Sequence, residues 1–137
     1  MTVLIDTNFL VSILMAKDVN HAKAVAALPS IKRHRAVVAA PVLVELFYLI
    51  DKYAGYAAAI RSLRETRQLY SVEPLIAADL PEMENIMFRY QDTRLDYTDV
   101  AIMALAERFN IETIYTFDRR DFVVFRPRHC SAFELLP

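Results

Sequence analysis

Glycine is almost missing from this chain: Gly55 is the only one. Phosphate-binding turns of the G-x-G-x-x-G and G-x-x-x-x-G-K-[ST] types need several glycines, so both are excluded. Cys130 is the lone cysteine, which excludes a disulfide framework and a cysteine-rich zinc site. His21, His34 and His129 fit neither H-E-x-x-H nor any other paired-ligand spacing. Charge of one sign is not in excess either. Lys plus Arg total 16 and Asp plus Glu 17, for a net charge of −1. Bulk charge does not draw such a chain to nucleic acid, so any phosphate contact must be local or assisted by a metal. Long hydrophobic runs are absent as well. The longest, Ala36 to Ile50, is interrupted by Pro41 and Glu45, and it falls short of the roughly 20 residues that span a bilayer. The N-terminal MTVLIDTN has no basic stretch and its apolar run stops at Asp6, unlike a signal peptide. A soluble cytoplasmic protein with no membrane partner is expected.

What is present is apolar substance. Hydrophobic types make up 55% of 137 residues, enough for one domain over 1–137 with a sizeable core. No repeat or linker interrupts it.

Thr2 to Ile5 is a β-branched apolar run that reads as a buried strand, and Asp6-Thr7-Asn8 after it is a helix-start signal. Phe9, Leu10, Ile13 and Leu14 continue at helical spacing. Asn20 is the expected cap of a helix over His21 to Leu28, followed by a strand over Ala36 to Ala39. Pro41 suits a first helical turn, and Val42, Leu43, Leu46, Leu49 and Ile50 recur at steps of three and four. Further helices are expected over Ala54 to Arg67, Pro81 to Tyr90 and Thr98 to Phe109, the last stopped by Asn110. Strands are expected over Leu69 to Val72 and Thr113 to Phe117, with a short fifth over Val123 to Phe125. The strand runs lack period-2 alternation, as befits strands covered on both faces. The pattern predicts an α/β fold with a mostly parallel sheet.

Four acids stand out against this frame. In open α/β sheets, ligands bind beyond the carboxyl ends of the strands. Asp6 ends the first expected strand and Asp118 follows the fourth. Asp99 falls in the first turn of the Thr98 helix, where the helix dipole favours a carboxylate. Glu45 sits inside an apolar helix, where a charge is costly to bury without a partner. Taken singly, each has an ordinary reading: a cap, a glutamate with its head in water, a first-turn acid, a solvated charge run. Taken together they imply strong repulsion. Two charges about 5 Å apart repel by roughly 3 kcal/mol at an effective dielectric near 20. Such a cluster needs cations or raised pKa values. Oxygen ligands suit Mg²⁺ or Mn²⁺ rather than zinc. An ion of that kind acidifies a bound water and neutralises a phosphodiester oxygen, which is the chemistry of a metal-dependent nuclease.

In order, the segments Val3-Leu4-Ile5-Asp6-Thr7-Asn8, Val42-Leu43-Val44-Glu45-Leu46, Thr98-Asp99-Val100-Ala101-Ile102-Met103-Ala104-Leu105-Ala106 and Ile114-Tyr115-Thr116-Phe117-Asp118-Arg119-Arg120-Asp121-Phe122 resemble a PIN-domain ribonuclease of the VapC toxin type. The resemblance spans essentially the whole chain. It implies a three-layer α/β/α fold with a mostly parallel sheet of 4–5 strands. It implies an acidic site holding Mg²⁺ (or Mn²⁺) and endonucleolytic cleavage of single-stranded or loop RNA. It also implies a type II toxin–antitoxin pair, a cognate VapB-type antitoxin and a homodimer. By position, Asp6, Glu45, Asp99 and Asp118 match the four acidic positions. Thr7, Asn8 and Thr116 match polar neighbours that orient carboxylates or a metal-bound water. Val100 stands where the family often has alanine, a change between apolar residues. Asp96 and Asp121 are not required by the pattern and rank as supporting or surface acids.

For phosphate contacts, the late cluster Arg119, Arg120, Arg126 and Arg128, with His129, adjoins Asp118 and is favoured over Lys32-Arg33-His34-Arg35. Tyr90, Tyr97 and Tyr115 are candidates to stack bases, against the simpler account that they fill the core. Leu46, Phe47, Tyr48, Leu49 and Tyr53 exceed the needs of one helix face and offer a seat for a partner helix, although core packing accounts for most of them. Two other functions compete with the nuclease. One is a catalytically silent PIN-like module that docks a basic peptide or an RNA partner; the presence of all four acids favours the enzyme. The other is a phosphatase-like metal hydrolase, disfavoured because Asn8 stands where a D-x-D pair needs its second acid.

Overall fold

Five strands pair into one sheet in the computed structural model, which describes residues 1–137. They are β1 (Thr2–Ile5), β2 (Arg35–Ala39), β3 (Ser71–Glu73), β4 (Thr113–Tyr115) and β5 (Glu134–Leu136), in the spatial order β3-β2-β1-β4-β5. Every neighbouring pair is parallel. Seven helices connect and cover them: α1 (Thr7–Leu14), α2 (His21–Ile31), α3 (Ala40–Ala54), α4 (Tyr56–Leu69), α5 (Asp79–Arg89), α6 (Tyr97–Phe109) and α7 (Arg120–Val124). The α/β/α architecture expected from the sequence is therefore present.

The strand order locates a crevice. From β1 the chain first builds outward through β2 to β3, then returns to add β4 and β5 on the other side. The carboxyl end of β1, between β2 and β4, is the point where the connections diverge and leave open space. Val3, Leu4 and Ile5 are fully buried, since helices cover both faces of the central strand. Helix α6 is buried from Val100 through Ala106, apolar all round, and forms the centre of one layer. Near its end, Arg108 grips Asp79 at the start of α5, with Nε and Nη2 donating to Oδ1 and Oδ2 at 3.0 and 3.1 Å. The backbone N–H of Ile76 donates to the same carboxylate at 2.8 Å.

Helices α3 and α4 meet at Gly55, whose φ of +93° lies where side chains are disfavoured. A Cβ there would meet nothing within 4 Å, so the backbone angle, not space, calls for glycine. Asn110 ends α6 in the left-handed conformation, as its type permits.

Several expectations need correction. Val123 to Phe125 is not a strand: Val123 and Val124 finish α7 and Phe125 follows as its cap. Phe122 and Phe125 are buried, three apart, while Val123 and Val124 face solvent, so the period is that of a helical turn. The fifth strand is instead Glu134–Leu136, whose Leu135 and Leu136 pair with Ile114 and Tyr115. Helix α2 runs past Pro29 to Ile31, and Asn20 contributes no side-chain cap. Asp18 organises that turn, accepting from Ser12 Oγ and the Asn20 N–H, each at 2.8 Å. The third strand starts at Ser71, because Leu69 is the last residue of α4. The fourth strand stops at Tyr115, two residues early, where Thr116 turns to the site described next.

Candidate active site

The site is built at the crevice, starting from Asp6. This residue is the N-cap of α1, with extended backbone, and its Oδ1 accepts the Thr7 N–H at 2.7 Å. Its Oδ2 accepts from Asn8 Nδ2 at 3.0 Å and from Thr116 Oγ1 at 2.9 Å. Asp6 is thereby fixed in direction and almost wholly buried. Asn8 ties the start of α1 to the end of β4, since its Oδ1 also accepts the Phe117 N–H at 2.9 Å. Thr116 Oγ1 in turn accepts the Asp118 N–H at 3.1 Å, which shapes the turn carrying Asp118. Thr7 reaches the other way. Its Oγ1 donates to Glu45 Oε1 at 2.7 Å, joining α1 to α3.

These groups open onto one cavity of about 410 Å³. Asp6, Thr7 and Asn8 line it from the β1–α1 junction, and Glu45, Tyr48 and Leu49 from α3. Asp96 and Asp99 come from the start of α6, and Asp118, Arg120 and Asp121 from the segment after β4. The structure thus brings all four sequence-predicted acids to one place, together with Asp96 and Asp121. Asp96 occupies the N-cap position of α6 but its side chain makes no capping bond. Asp121 lies in the first turn of α7 and is buried rather than at the surface. Arg120 Nε approaches Asp121 Oδ1 at 3.3 Å.

Six carboxylates therefore share a cavity with one guanidinium, and their protonation responds. Asp99 is pushed up to about 8, first by burial and then by the charges of Asp6, Asp96, Asp121 and Glu45. Asp6 is pushed up to about 6, mainly by burial; its bonds from Thr116 and Thr7 oppose the rise, and Glu45 and Asp118 add to it. Glu45 also moves up, by burial and by the charge of Asp96, with the Thr7 bond pulling it down. Both signs of influence are those that desolvation, like charges and hydrogen bonds to an anion produce.

Does this donor set fit a divalent cation? It is all oxygen, it is held stiffly at Asp6 and Glu45, and repulsion within it makes added positive charge favourable. No three side chains already close on a point as a finished ion cage. Mg²⁺ does not require one, because it keeps several waters and is held by one or two carboxylates. The residues fit a hydrated hard cation.

The arginine cluster is not brought together. Arg120 lines the cavity. Arg119 donates to the Pro137 carbonyl, and Arg126 Nη1 donates to Val123 O at 2.7 Å. Arg128 pairs with Glu82 at 3.0 Å and Glu107 at 3.3 Å. After α7 the chain turns back over α5 and α6, whose acids take up Arg128. Among the tyrosines, Tyr115 is in the core with its hydroxyl 2.9 Å from Ser30 Oγ. Tyr90 packs on Phe125, and its hydroxyl accepts the Arg126 N–H. Tyr97 is exposed but does not line the cavity. Sequence reasoning overlooked Tyr48 and Leu49 as parts of the site. The signal was there: three and four residues beyond Glu45 on a helix is the same face.

A family model described as "PIN domain" matches residues 3–126. Ribonuclease VapC26 of Mycobacterium tuberculosis (strain ATCC 25618 / H37Rv) is 32% identical over 135 residues, which cover 98% of this chain and 99% of that protein. The crystal structure of VapC20 from Mycobacterium tuberculosis, a sarcin–ricin-loop-cleaving toxin, superposes with a TM-score of 0.79 at 20% identity, covering 85% of this chain and 90% of that one. VapBC2 from Rickettsia felis, bound to a DNA fragment from its promoter, gives a TM-score of 0.72 at 17% identity, covering 98% and 97%. At such identities the two structures speak for the fold alone.

Proposed function

The chain belongs to the PIN-domain family, and from that premise we propose that it is a divalent-metal-dependent endoribonuclease, the toxin of a type II toxin–antitoxin pair. The observation that carries the reading is the convergence of Asp6, Glu45, Asp99 and Asp118 on one cavity from four separate segments. The ribonuclease name of the relative at 32% identity agrees with it.

Asp6, Glu45, Asp99 and Asp118 would hold Mg²⁺ (or Mn²⁺). When bound, such an ion supplies an acidified water and neutralises charge on a phosphodiester. The chain's own groups do the rest. Thr7 N–H, Asn8 and Thr116 fix the Asp6 carboxylate, so it needs no reorganisation when the substrate arrives. Thr7 Oγ1 sets the direction of Glu45. Asp96 and Asp121 deepen the negative potential from the margins, and Arg120 offers the cavity's single cationic contact for a phosphate oxygen. The substrate is single-stranded or loop RNA.

The partner is a VapB-type antitoxin. A basic side chain from it would pair with the carboxylates of the cavity. Across α3 lies a second, apolar cavity of about 630 Å³, lined by Leu43, Val44, Phe47, Ile60, Leu63 and Val72 with Arg64 and Arg67, which suits a partner helix. The toxin works as a homodimer of one-domain subunits in the cytoplasm; no helix is long and apolar enough to cross a membrane.

Sequencing RNA 5′ ends after brief expression tests the proposal. The chain should create new ends at a few defined positions, and Asp99→Asn should create none. Identical end profiles for the two would refute the nuclease.

A further inference from the structure

Tyr48 has no assigned part in the site, yet it lines the acidic cavity while staying 63% exposed. Its ring has no aromatic neighbour and its hydroxyl no hydrogen-bond partner. Tyr115 and Tyr90 are engaged as described and Tyr56 packs edge-on against Phe47, while Tyr53 and Tyr97 are exposed but do not line the cavity. Tyr48 is placed on α3 one turn beyond Glu45, so the helix that presents a carboxylate to the cavity presents this ring beside it.

The electrostatics of the mouth say what such a ring is for. The lining of six carboxylates and one guanidinium leaves a bound cation and Arg120 as the only positive charges that a phosphate backbone meets here. The arginines that would have formed a basic track, Arg119, Arg126 and Arg128, are held elsewhere. With so few cationic groups, a contact that does not depend on phosphate charge adds the most to substrate affinity. Stacking of a nucleobase on an aromatic face is such a contact, and it is tolerant of base identity. We infer that Tyr48 is the platform on which a base next to the scissile phosphate stacks, with Arg120 taking a phosphate oxygen from the β4–α7 side, so that together they set where the RNA lies across the carboxylates. This rests on the nuclease reading.

Steady-state cleavage of a short single-stranded RNA by the full chain tests it. Tyr48→Ala should raise KM about ten- to a hundredfold, the range that loss of one stacked base predicts. Tyr48→Phe keeps the ring without the hydroxyl and should recover most of that loss. Tyr48→Ala binding should show the same salt slope as the wild type, because stacking releases no counterions, whereas Arg120→Ala should flatten it by about one phosphate contact. A direct readout is available because the chain contains no tryptophan. Tyr48→Trp in the Asp99→Asn background introduces a single indole, whose emission should be quenched when the RNA binds. The outcomes separate the two readings. If the wild type cleaves and Tyr48→Ala cleaves with unchanged KM, or if Phe is as damaging as Ala, the platform is wrong and the nuclease stands. If Tyr48→Ala loses only a protein partner, the ring belongs to a protein interface and the platform is again wrong. If the wild type cleaves no RNA with Mg²⁺ or Mn²⁺, both readings fall.

Discussion

Asp6 and Asp96 are both helix caps by position, yet they live in different worlds. Asp6 is buried and accepts three hydrogen bonds, while Asp96 is exposed and its side chain caps nothing. Burial does not rank the remaining acids, since Asp118 is exposed and Asp121 buried; their places do, Asp99 in the first turn of α6 and Asp118 after β4. Asp99→Asn and Asp118→Asn should each cut cleavage by at least about a hundredfold, while Asp96→Asn and Asp121→Asn should change it less than about tenfold; single-turnover rates decide this. Thr7→Val should act through Glu45, which loses its 2.7 Å donor. The expected result is a fall in kcat with little change in KM, and Thr7→Ser should restore it. The sequence singles out the four acids as candidates because each follows a strand, starts a helix or interrupts an apolar face. Their convergence was not readable from spacing, since it depends on strand order. Asp121 ranks among the supporting or surface acids in the sequence although it is buried, because one short helical turn leaves almost no periodic signal. Tyr48 reads there as core packing or a partner seat rather than as part of the cavity, because in a run of apolar residues an exposed ring and a core ring look the same.

Elements with long apolar patterns were recovered nearly whole. β1 and α6 are buried on all sides, so local pattern and tertiary position agree. The errors fell on three-residue strands and on α7, where pairing partners decide the structure, and on the two ends of α2. β5 carries Glu134 and only two apolar residues, and it is a strand because β4 offers it an edge. Element packing also supplies a prediction about stability. The Asp79 carboxylate is buried and depends on Arg108 to join α5 to α6. Arg108→Ala should destabilise the chain by about 3 kcal/mol, because it leaves an uncompensated buried charge. The double variant Asp79→Asn/Arg108→Ala should be less damaged than Arg108→Ala alone. Urea midpoints measured by circular dichroism check the order.

Across the whole molecule the charges nearly cancel, but they are unevenly placed, and the cavity holds six acids. This has a pH signature. Asp6 and Asp99 titrate at about 6 and about 8 in the folded chain, above their ordinary value of 3.8. The folded state therefore retains protons that the unfolded state has released. Their contribution favours folding at low pH and is lost as pH rises from about 4 through about 8. Metal-free Tm should fall between pH 5.5 and 8.5, and Asp99→Asn should show a shallower fall. Added Mg²⁺ should raise Tm more at pH 8 than at pH 5.5, since the ion competes with protons for the same oxygens.

On the proposed nuclease reading, α1, α3, α6 and the turn after β4 build a single cation site. Calorimetric titration of Mn²⁺ into the wild type, Glu45→Gln and Asp99→Asn at neutral pH tests it most directly, because the two substitutions lie on different helices. A shared site predicts wild-type binding with proton release and at least a tenfold loss of affinity in both variants, each still folded. Binding of Mn²⁺ by either variant with wild-type affinity and proton release would contradict it.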